Sequence, residues 1–194
     1  MGYEGKGCVG VYLDDQFSSA LIFGNVFYRV SSAAFIGGGH DTVIENNIFV
    51  ECSPALHIDA RGLGWQADCT NRLMKTVQEM PYGEEPWKSR YPALAGILDD
   101  PDHMAPKGNV VARNIQWKCK GDGIEKKAYP YLVLQNNLLD LDPKFVNEKA
   151  LDFRLQDDSP AFKIGFRSIP VDKIGLCADK ERVSWPVSRA EAGR

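Results

Sequence analysis

The chain has 194 residues, which is enough for one domain with a sizeable hydrophobic core. Its hydrophobic fraction of 44% and charged fraction of 25% are those of an ordinary globular protein. Its net charge of -3 provides no basic field for nucleic acid or an anionic membrane, so we expect neither as a partner. The first ten residues, MGYEGKGCVG, lack the basic and apolar regions of a secretory signal.

A motif containing one asparagine recurs along the chain and predicts a repeat architecture. It reads LIFGNVFYRV at 21–30, VIENNIFVEC at 43–52, VVARNIQW at 110–117 and LVLQNNLL at 132–139. A period of about 22 residues made of strand-length runs is typical of a parallel β-helix, with one coil per repeat. We therefore predict an all-β solenoid with a small helical insertion. The equivalent asparagines should form a structural ladder, because a side-chain amide can both donate to one coil and accept from the next; they are Asn25, Asn47, Asn114 and Asn137.

A second set of strands precedes these motifs at 9–14, 32–37 and 54–59. Alternation predicts two inward columns: Val11, Ala34 and Leu56, and Leu13, Ile36 and Ile58. Tyr12, Phe35 and His57 then point outward, followed by Asp14, Gly37 and Asp59. This register requires the first turn to be one residue longer than the others, because a strict period of 22 would bury the Asp14 carboxylate.

The repeat is interrupted once, at 63–107, where residues 70–80 and 85–100 have the character of two short helices. This insertion leaves the coil directly after Arg61, so we expect it to form a lid or cleft wall. The predicted organisation is coils at 1–62, the insertion at 63–107, coils and a segment closing the end of the stack at 108–177, and a polar tail at 178–194. The chain begins almost directly in a coil, so we expect a longer solenoid whose exposed first coil could pair with another copy.

Two outward carboxylates are the candidate catalytic groups. Asp14 and Asp59 lie two coils apart, about 10 Å between Cα atoms, and flank a coil that carries Gly37 and Gly38. Without side chains, these glycines predict a shallow trough in which a sugar ring could approach the backbone. Inverting glycosidases separate their two carboxyl groups by roughly 6.5–9.5 Å, so the spacing favours hydrolysis with inversion. Asp59 beside Arg61 suits the base, and Asp14 the acid. The alternative is that these aspartates only cap turns. The candidate substrate-binding residues are Tyr12, Asp15, Gly37, Gly38, His40, His57 and Arg61.

No metal or zinc site is expected. The five cysteines show neither zinc-ligand spacing nor a disulfide framework, which predicts buried or incidental thiols; they are Cys8, Cys52, Cys69, Cys119 and Cys177.

The stretches GVYLDD, NVFYRVSSAAFIGGGHDTVIENNIFVECSPALHIDARGLGW, MPYGEEPWKSRYPALAGILDD and DFRLQDDSPAFKIGF resemble a known family. They are similar to the C-terminal half of secreted bacterial right-handed parallel β-helix proteins of the pectin-lyase-like superfamily. More narrowly, they resemble a β-helical glycoside hydrolase family with α-L-fucosidase and xylanase activities. The resemblance implies right-handed coils, a carbohydrate substrate, an extracellular or periplasmic location, and a catalytic pair at Asp14 and Asp59.

Three functions remain open at this stage. The first is a glycoside hydrolase that cleaves plant or algal polysaccharide without a cofactor. The second is a polysaccharide lyase of the pectate or alginate type, with a base such as Arg61 or a lysine and Ca²⁺ bound by carboxylates such as Asp14 and Asp15. The third is a non-catalytic glycan-binding or structural protein.

Overall fold

The computed structural model describes residues 8–121 and 123–175, and within them the chain is mostly β with parallel sheets and few helices. Twelve of its strands form three four-stranded parallel sheets. The strands of sheet 1 are β1 (Val9–Leu13), β4 (Ser32–Gly37), β7 (Leu56–Asp59) and β10 (Gly123–Ile124). Those of sheet 2 are β2 (Leu21–Phe23), β5 (Val43–Glu45), β8 (Asn109–Ala112) and β11 (Leu132–Gln135). Those of sheet 3 are β3 (Val26–Tyr28), β6 (Ile48–Val50), β9 (Ile115–Trp117) and β12 (Leu138–Leu139).

Each repeat contributes one strand to each sheet, which is compatible with an all-β parallel solenoid. Four coils follow from this order: β1 to β3, β4 to β6, β7 to β9 and β10 to β12. The predicted inward columns are confirmed, since Val11 pairs with Ala34 and Leu13 with Ile36. Ile36 in turn pairs with Ile58. Leu13 and Ile36 are 23 residues apart in the sequence, whereas Ile36 and Ile58 are 22 apart, which confirms that the first turn is one residue longer.

The asparagine ladder is also confirmed. Asn47 donates from both its backbone N and its Nδ2 to Asn114 Oδ1, each at 3.0 Å. Asn25 donates to Asn47 in the same way, and Asn114 to Asn137, at the same distance of 3.0 Å. The residue before each ladder asparagine has a left-handed backbone, which turns the chain between sheets 2 and 3; these residues are Gly24, Asn46, Arg113 and Asn136.

Sheet 3 is covered on both faces. Phe27 and Phe49 point inward and their rings stack 5.0 Å apart. On the outer face, Ile48 and Ile115 pack against a C-terminal antiparallel hairpin, β13 (Phe145–Asn147) and β14 (Asp152–Leu155), and against the 3-10 turn that follows it. Alternation between two apolar environments explains why all three residues of β6 are buried.

The C-terminal segment therefore lies elsewhere than the sequence predicted. It runs along the side of the stack, from Leu138 in the fourth coil to Tyr28 in the first, rather than closing its end. The inward-facing Leu134 and Leu139 of the last coil stay 43% and 60% exposed. The outer face of sheet 3 is itself apolar, so packing there removes hydrophobic surface of both the sheet and the segment from water.

The insertion leaves the stack after β7 and the chain returns to it at β8. Its first helix, α1 (Thr70–Gln78), matches the prediction, but the expected helix at 85–100 is divided into α2 (Trp87–Arg90) and α3 (Pro92–Ala95). Pro92 explains the division, because a proline disfavours helical backbone at the residue before it, and Tyr91 has φ -133° and ψ 65°.

Single 3-10 turns lie at 61–63, 67–69, 97–99, 129–131, 148–150, 160–164 and 171–173. The predicted tail at 178–194, Cys177 and residues 1–7 lie outside the described residues.

Candidate functional site: an arginine shared by three carboxylates

The two candidate catalytic residues occupy equivalent outward positions at the ends of sheet 1 strands. Gly37 pairs with Asp59, and Asp14 directly follows Leu13, the partner of Ile36. After Asp14 the chain turns sharply through left-handed backbone at Asp15 (φ 43°) and Gln16 (φ 65°). This turn folds over the neighbouring coil, because Gln16 N donates to Gly37 O at 2.8 Å.

The glycines of the second coil make room for this turn and for Arg61. A Cβ at Gly39 would lie 1.9 Å from the Phe17 carbonyl oxygen, and one at Gly38 would lie 2.6 Å from Gln16 Nε2. A Cβ at Gly37 would lie 2.6 Å from Arg61 Cζ. The space above Gly37, where the sequence predicts an open trough, is therefore filled by a guanidinium.

Arg61 binds three carboxylates at once. Its Nη1 donates to Asp14 Oδ1 at 2.6 Å and to Asp15 Oδ1 at 3.0 Å. Its Nε and Nη2 donate to the Asp59 carboxylate at 3.0 and 2.8 Å, a two-pronged contact that fixes the guanidinium plane. The Arg61 side chain is only 5% exposed. Asp14 and Asp59, from the first and third coils, are thereby joined through one cation.

Two aromatic rings enclose the guanidinium. Arg61 Cζ lies 5.4 Å from the centre of the Phe35 ring and 5.3 Å from that of Trp65. Phe35 belongs to the outward column of sheet 1, and Trp65 follows the 3-10 turn with which the insertion begins. Both contacts are of cation–π type, in which the face of an aromatic ring attracts the guanidinium charge.

The electrostatics favour the ionised form of both aspartates. The Arg61 guanidinium lowers the pKa of Asp14, against the opposing effect of partial desolvation. Burial acts to raise the pKa of Asp59, but hydrogen bonds from His57 and Arg61 outweigh it and hold this pKa well below its ordinary value. A general acid needs a raised pKa. The environment of Asp14 therefore does not support the predicted role of acid, while that of Asp59 is consistent with a carboxylate base.

His57 and Tyr12 complete the outward face. His57 Nε2 donates to Asp59 Oδ2 at 3.1 Å, and its ring stacks on Phe35 with centres 4.2 Å apart. Tyr12 is 56% exposed and its ring meets Phe35 edge-on at 4.5 Å. Partial desolvation and the Asp14 carboxylate raise the pKa of Tyr12. A histidine held by a carboxylate is an arrangement suited to proton transfer.

His40 makes its side-chain hydrogen bond to the insertion. Its Nε2 donates to the His103 carbonyl oxygen at 2.7 Å, which ties the second coil to the insertion. It lines a separate cavity of about 810 Å³, together with Trp87 and Tyr91 from the insertion. The insertion therefore lies beside the second coil at this cavity.

Sequence reasoning missed three members of the site. Gln66 donates from Nε2 to Asp15 Oδ1 at 2.5 Å and so holds the turn after β1. Phe35 and Trp65 enclose the guanidinium. The outward position of Phe35 could be read from the strand register, but Trp65 and Gln66 lie in the insertion, where no repeat indicates their position.

Within the described ranges, no group of three or more His, Cys, Asp or Glu side chains is arranged to hold a metal ion. None of the helices at 8–121 or 123–175 is long and apolar enough to cross a membrane. No protein family, no curated protein and no solved structure matches the chain.

Proposed function

We propose that the chain is a right-handed parallel β-helix protein of the pectin-lyase-like type, secreted or periplasmic, that hydrolyses glycosidic bonds in plant or algal polysaccharide. The observation that carries the proposal is the outward cluster on sheet 1. There Asp14 and Asp59 share one buried guanidinium, and His57 hydrogen-bonds to Asp59. Three parallel sheets with one strand per repeat support the β-helix, and right-handedness rests on the sequence resemblance.

The roles within the cluster follow from the charges. Asp14 has a 45% exposed side chain, and Arg61 favours its ionised form, so it is suited to accept a proton from an attacking water. His57 is half-buried, faces the same side and is oriented by Asp59, so we assign it the delivery of a proton to the leaving group. Asp59 then acts as the carboxylate that positions both His57 and Arg61.

The hydrolase is favoured over the lyase by the state of Arg61. A lyase using Arg61 as its base would need that guanidinium to release a proton. The hydrogen bonds that Arg61 donates to Asp59 and then to Asp14 raise the pKa of Arg61 above its ordinary value, despite burial. Arg61 Nη1 also bonds one oxygen each of Asp14 and Asp15, the two residues suggested for Ca²⁺.

A non-catalytic glycan-binding protein is the second candidate. The observation that favours it is the guanidinium above Gly37, which occupies the place where a sugar ring would approach the backbone. In that case the exposed Tyr12 and half-buried His57 would bind glycan without cleaving it.

One experiment separates these functions. The full chain is incubated with a panel of plant and algal polysaccharides, and the products are identified by mass, with His57→Gln alongside. A hydrolase adds one water per bond cleaved, and we expect His57→Gln to lower this turnover by about 100-fold. A product lighter by one water would instead indicate elimination. Retention of wild-type protein on a polysaccharide column without any product would indicate the binding protein and would refute the hydrolase.

A further inference from the structure

Two of the free cysteines occupy the same position in consecutive coils. Cys52 and Cys119 each lie five residues after a ladder asparagine, and each follows a residue with left-handed backbone, Glu51 (φ 54°) and Lys118 (φ 55°). Backbone hydrogen bonds on both sides fix the register, from Glu51 N to Trp117 O at 3.0 Å and from Lys120 N to Cys52 O at 2.8 Å. The two cysteines are therefore direct neighbours across the second and third coils.

The geometry of such neighbours fits a disulfide bond. Adjacent parallel strands lie about 4.8 Å apart, and disulfide-bonded cysteines have Cα separations of about 4.4–6.8 Å. The two thiols also point the same way, since Cys52 Sγ contacts Phe27 O and Cys119 Sγ contacts Phe49 O, each at 3.5 Å.

An oxidant can reach one of the pair. Cys52 is fully buried, but Cys119 is partly exposed and lines a cavity of about 330 Å³ at the last coil, beside Leu134 and Leu139. Reaction would be slow at neutral pH, because the Cys52 sulfur and burial raise the pKa of the Cys119 thiol.

We propose that Cys52 and Cys119 are a disulfide site that closes when the protein meets a small disulfide oxidant such as oxidised glutathione. The Cys119 thiolate attacks one sulfur of the oxidant, forming a mixed disulfide and releasing one thiolate. The Cys52 thiolate then attacks the Cys119 sulfur, forming the new S–S bond and releasing the second thiolate. The cysteines lose two protons and two electrons, and the oxidant takes up the electrons by becoming two thiols.

The bond would join the second coil to the third, the coil that the insertion interrupts between β7 and β8. The loop that it closes contains β7, Arg61 and the whole insertion, and constraining so long a loop removes much conformational entropy from the unfolded chain. The disulfide would thus stabilise the part of the fold that positions Arg61, and it does so whether or not the proposed hydrolase activity is correct.

The test uses the reduced full chain, incubated with excess oxidised glutathione at pH 8, then denatured, alkylated and digested with trypsin. We expect a peptide that links Cys52 to Cys119 and a melting temperature raised by roughly 10 °C, both reversed by reductant. Cys69→Ser, which removes an exposed thiol outside the pair, should still give the linked peptide, whereas Cys119→Ser should give neither effect.

The linked peptide is sought in the wild-type chain, so the result does not depend on the folding of a variant. Alkylation of both Cys52 and Cys119 after oxidation would overturn the proposal. So would a glutathione adduct on Cys119 as the end product, or a bond from Cys52 to a different cysteine.

Discussion

Arg61 joins acidic side chains that are distant in the sequence. Asp14 and Asp15 follow the first strand, Asp59 ends a strand two coils later, and one guanidinium satisfies all three. The strand register alone predicts that Asp14 and Asp59 face the same side. The course of the Arg61 side chain across Gly37 could not be predicted, because it also depends on the Trp65 ring from the insertion.

The charge of Asp59 makes the stability of the fold depend on pH. We expect Asp59→Asn to lower the free energy of unfolding at pH 7 by about 2 kcal/mol, because the buried guanidinium loses its two-pronged partner. The pKa of Asp59 is lowered by folding, so between the folded and unfolded pKa values the unfolded chain binds more protons. The stabilisation is therefore complete above the ordinary carboxyl range and is lost as the pH falls below about 4.

Urea unfolding of both proteins at pH 7, 5 and 3 measures this effect. The difference in the free energy of unfolding between wild type and Asp59→Asn should be largest at pH 7 and smaller at pH 3. Asp157→Asn, which alters an exposed aspartate elsewhere, should match wild type throughout. A gap of equal size at all three pH values would show that the carboxylate charge is not what stabilises the site.

Single elements differ in how far the sequence determines them. Eleven of the twelve strands of the coils follow from local patterning, because the repeats carry apolar residues at matching positions and the same asparagine. The exception is β10, which no predicted strand covers. The C-terminal hairpin has no counterpart in the repeat, so its packing on sheet 3 depends on a long-range fit between Phe153 and Tyr28 that no local pattern indicates. Pro92 is a local signal that predicts the break between α2 and α3, but the one-helix prediction gave it too little weight.

The ladder asparagines should contribute different amounts to the free energy of unfolding, according to how deeply each is buried in the stack. Asn114 is fully buried, donates to Ile44 O and Asn137 Oδ1, and accepts from Asn47. Asn114→Ala leaves several buried polar groups without partners, so we expect it to lower the free energy of unfolding by about 4 kcal/mol. Asn25→Ala, at the exposed first position of the ladder, should cost only about 1 kcal/mol.

Chemical denaturation of the two variants at one pH gives the comparison. Asn25→Ala is the matched control, because the residue type and the change are the same and only the burial differs. Equal losses of stability would contradict the view that the ladder acts by satisfying buried polar groups.

At the scale of the whole molecule, the repeat and the insertion have separate tasks. The stacked coils place Asp14 and Asp59 on one outward face, while the insertion supplies Trp65 and Gln66 around Arg61. Covering a stretch of outward polar strand with an inserted segment converts an ordinary wet face into a partly enclosed site. The proposal of a hydrolase rests on this combination rather than on the coils alone.

The central claim is that the outward carboxylates carry chemistry and are not only structural. The variant Asp14→Asn tests this, because Asp14 is exposed at the edge of the cluster. In the variant, Arg61 keeps its ion pairs with Asp59 and Asp15. The measurement is release of sugar product from the polysaccharide that wild type cleaves, recorded together with the melting temperature. We expect turnover to fall by at least about 100-fold while the melting temperature changes by only a few degrees. Full turnover by Asp14→Asn would show that the Asp14 carboxylate takes no part in hydrolysis.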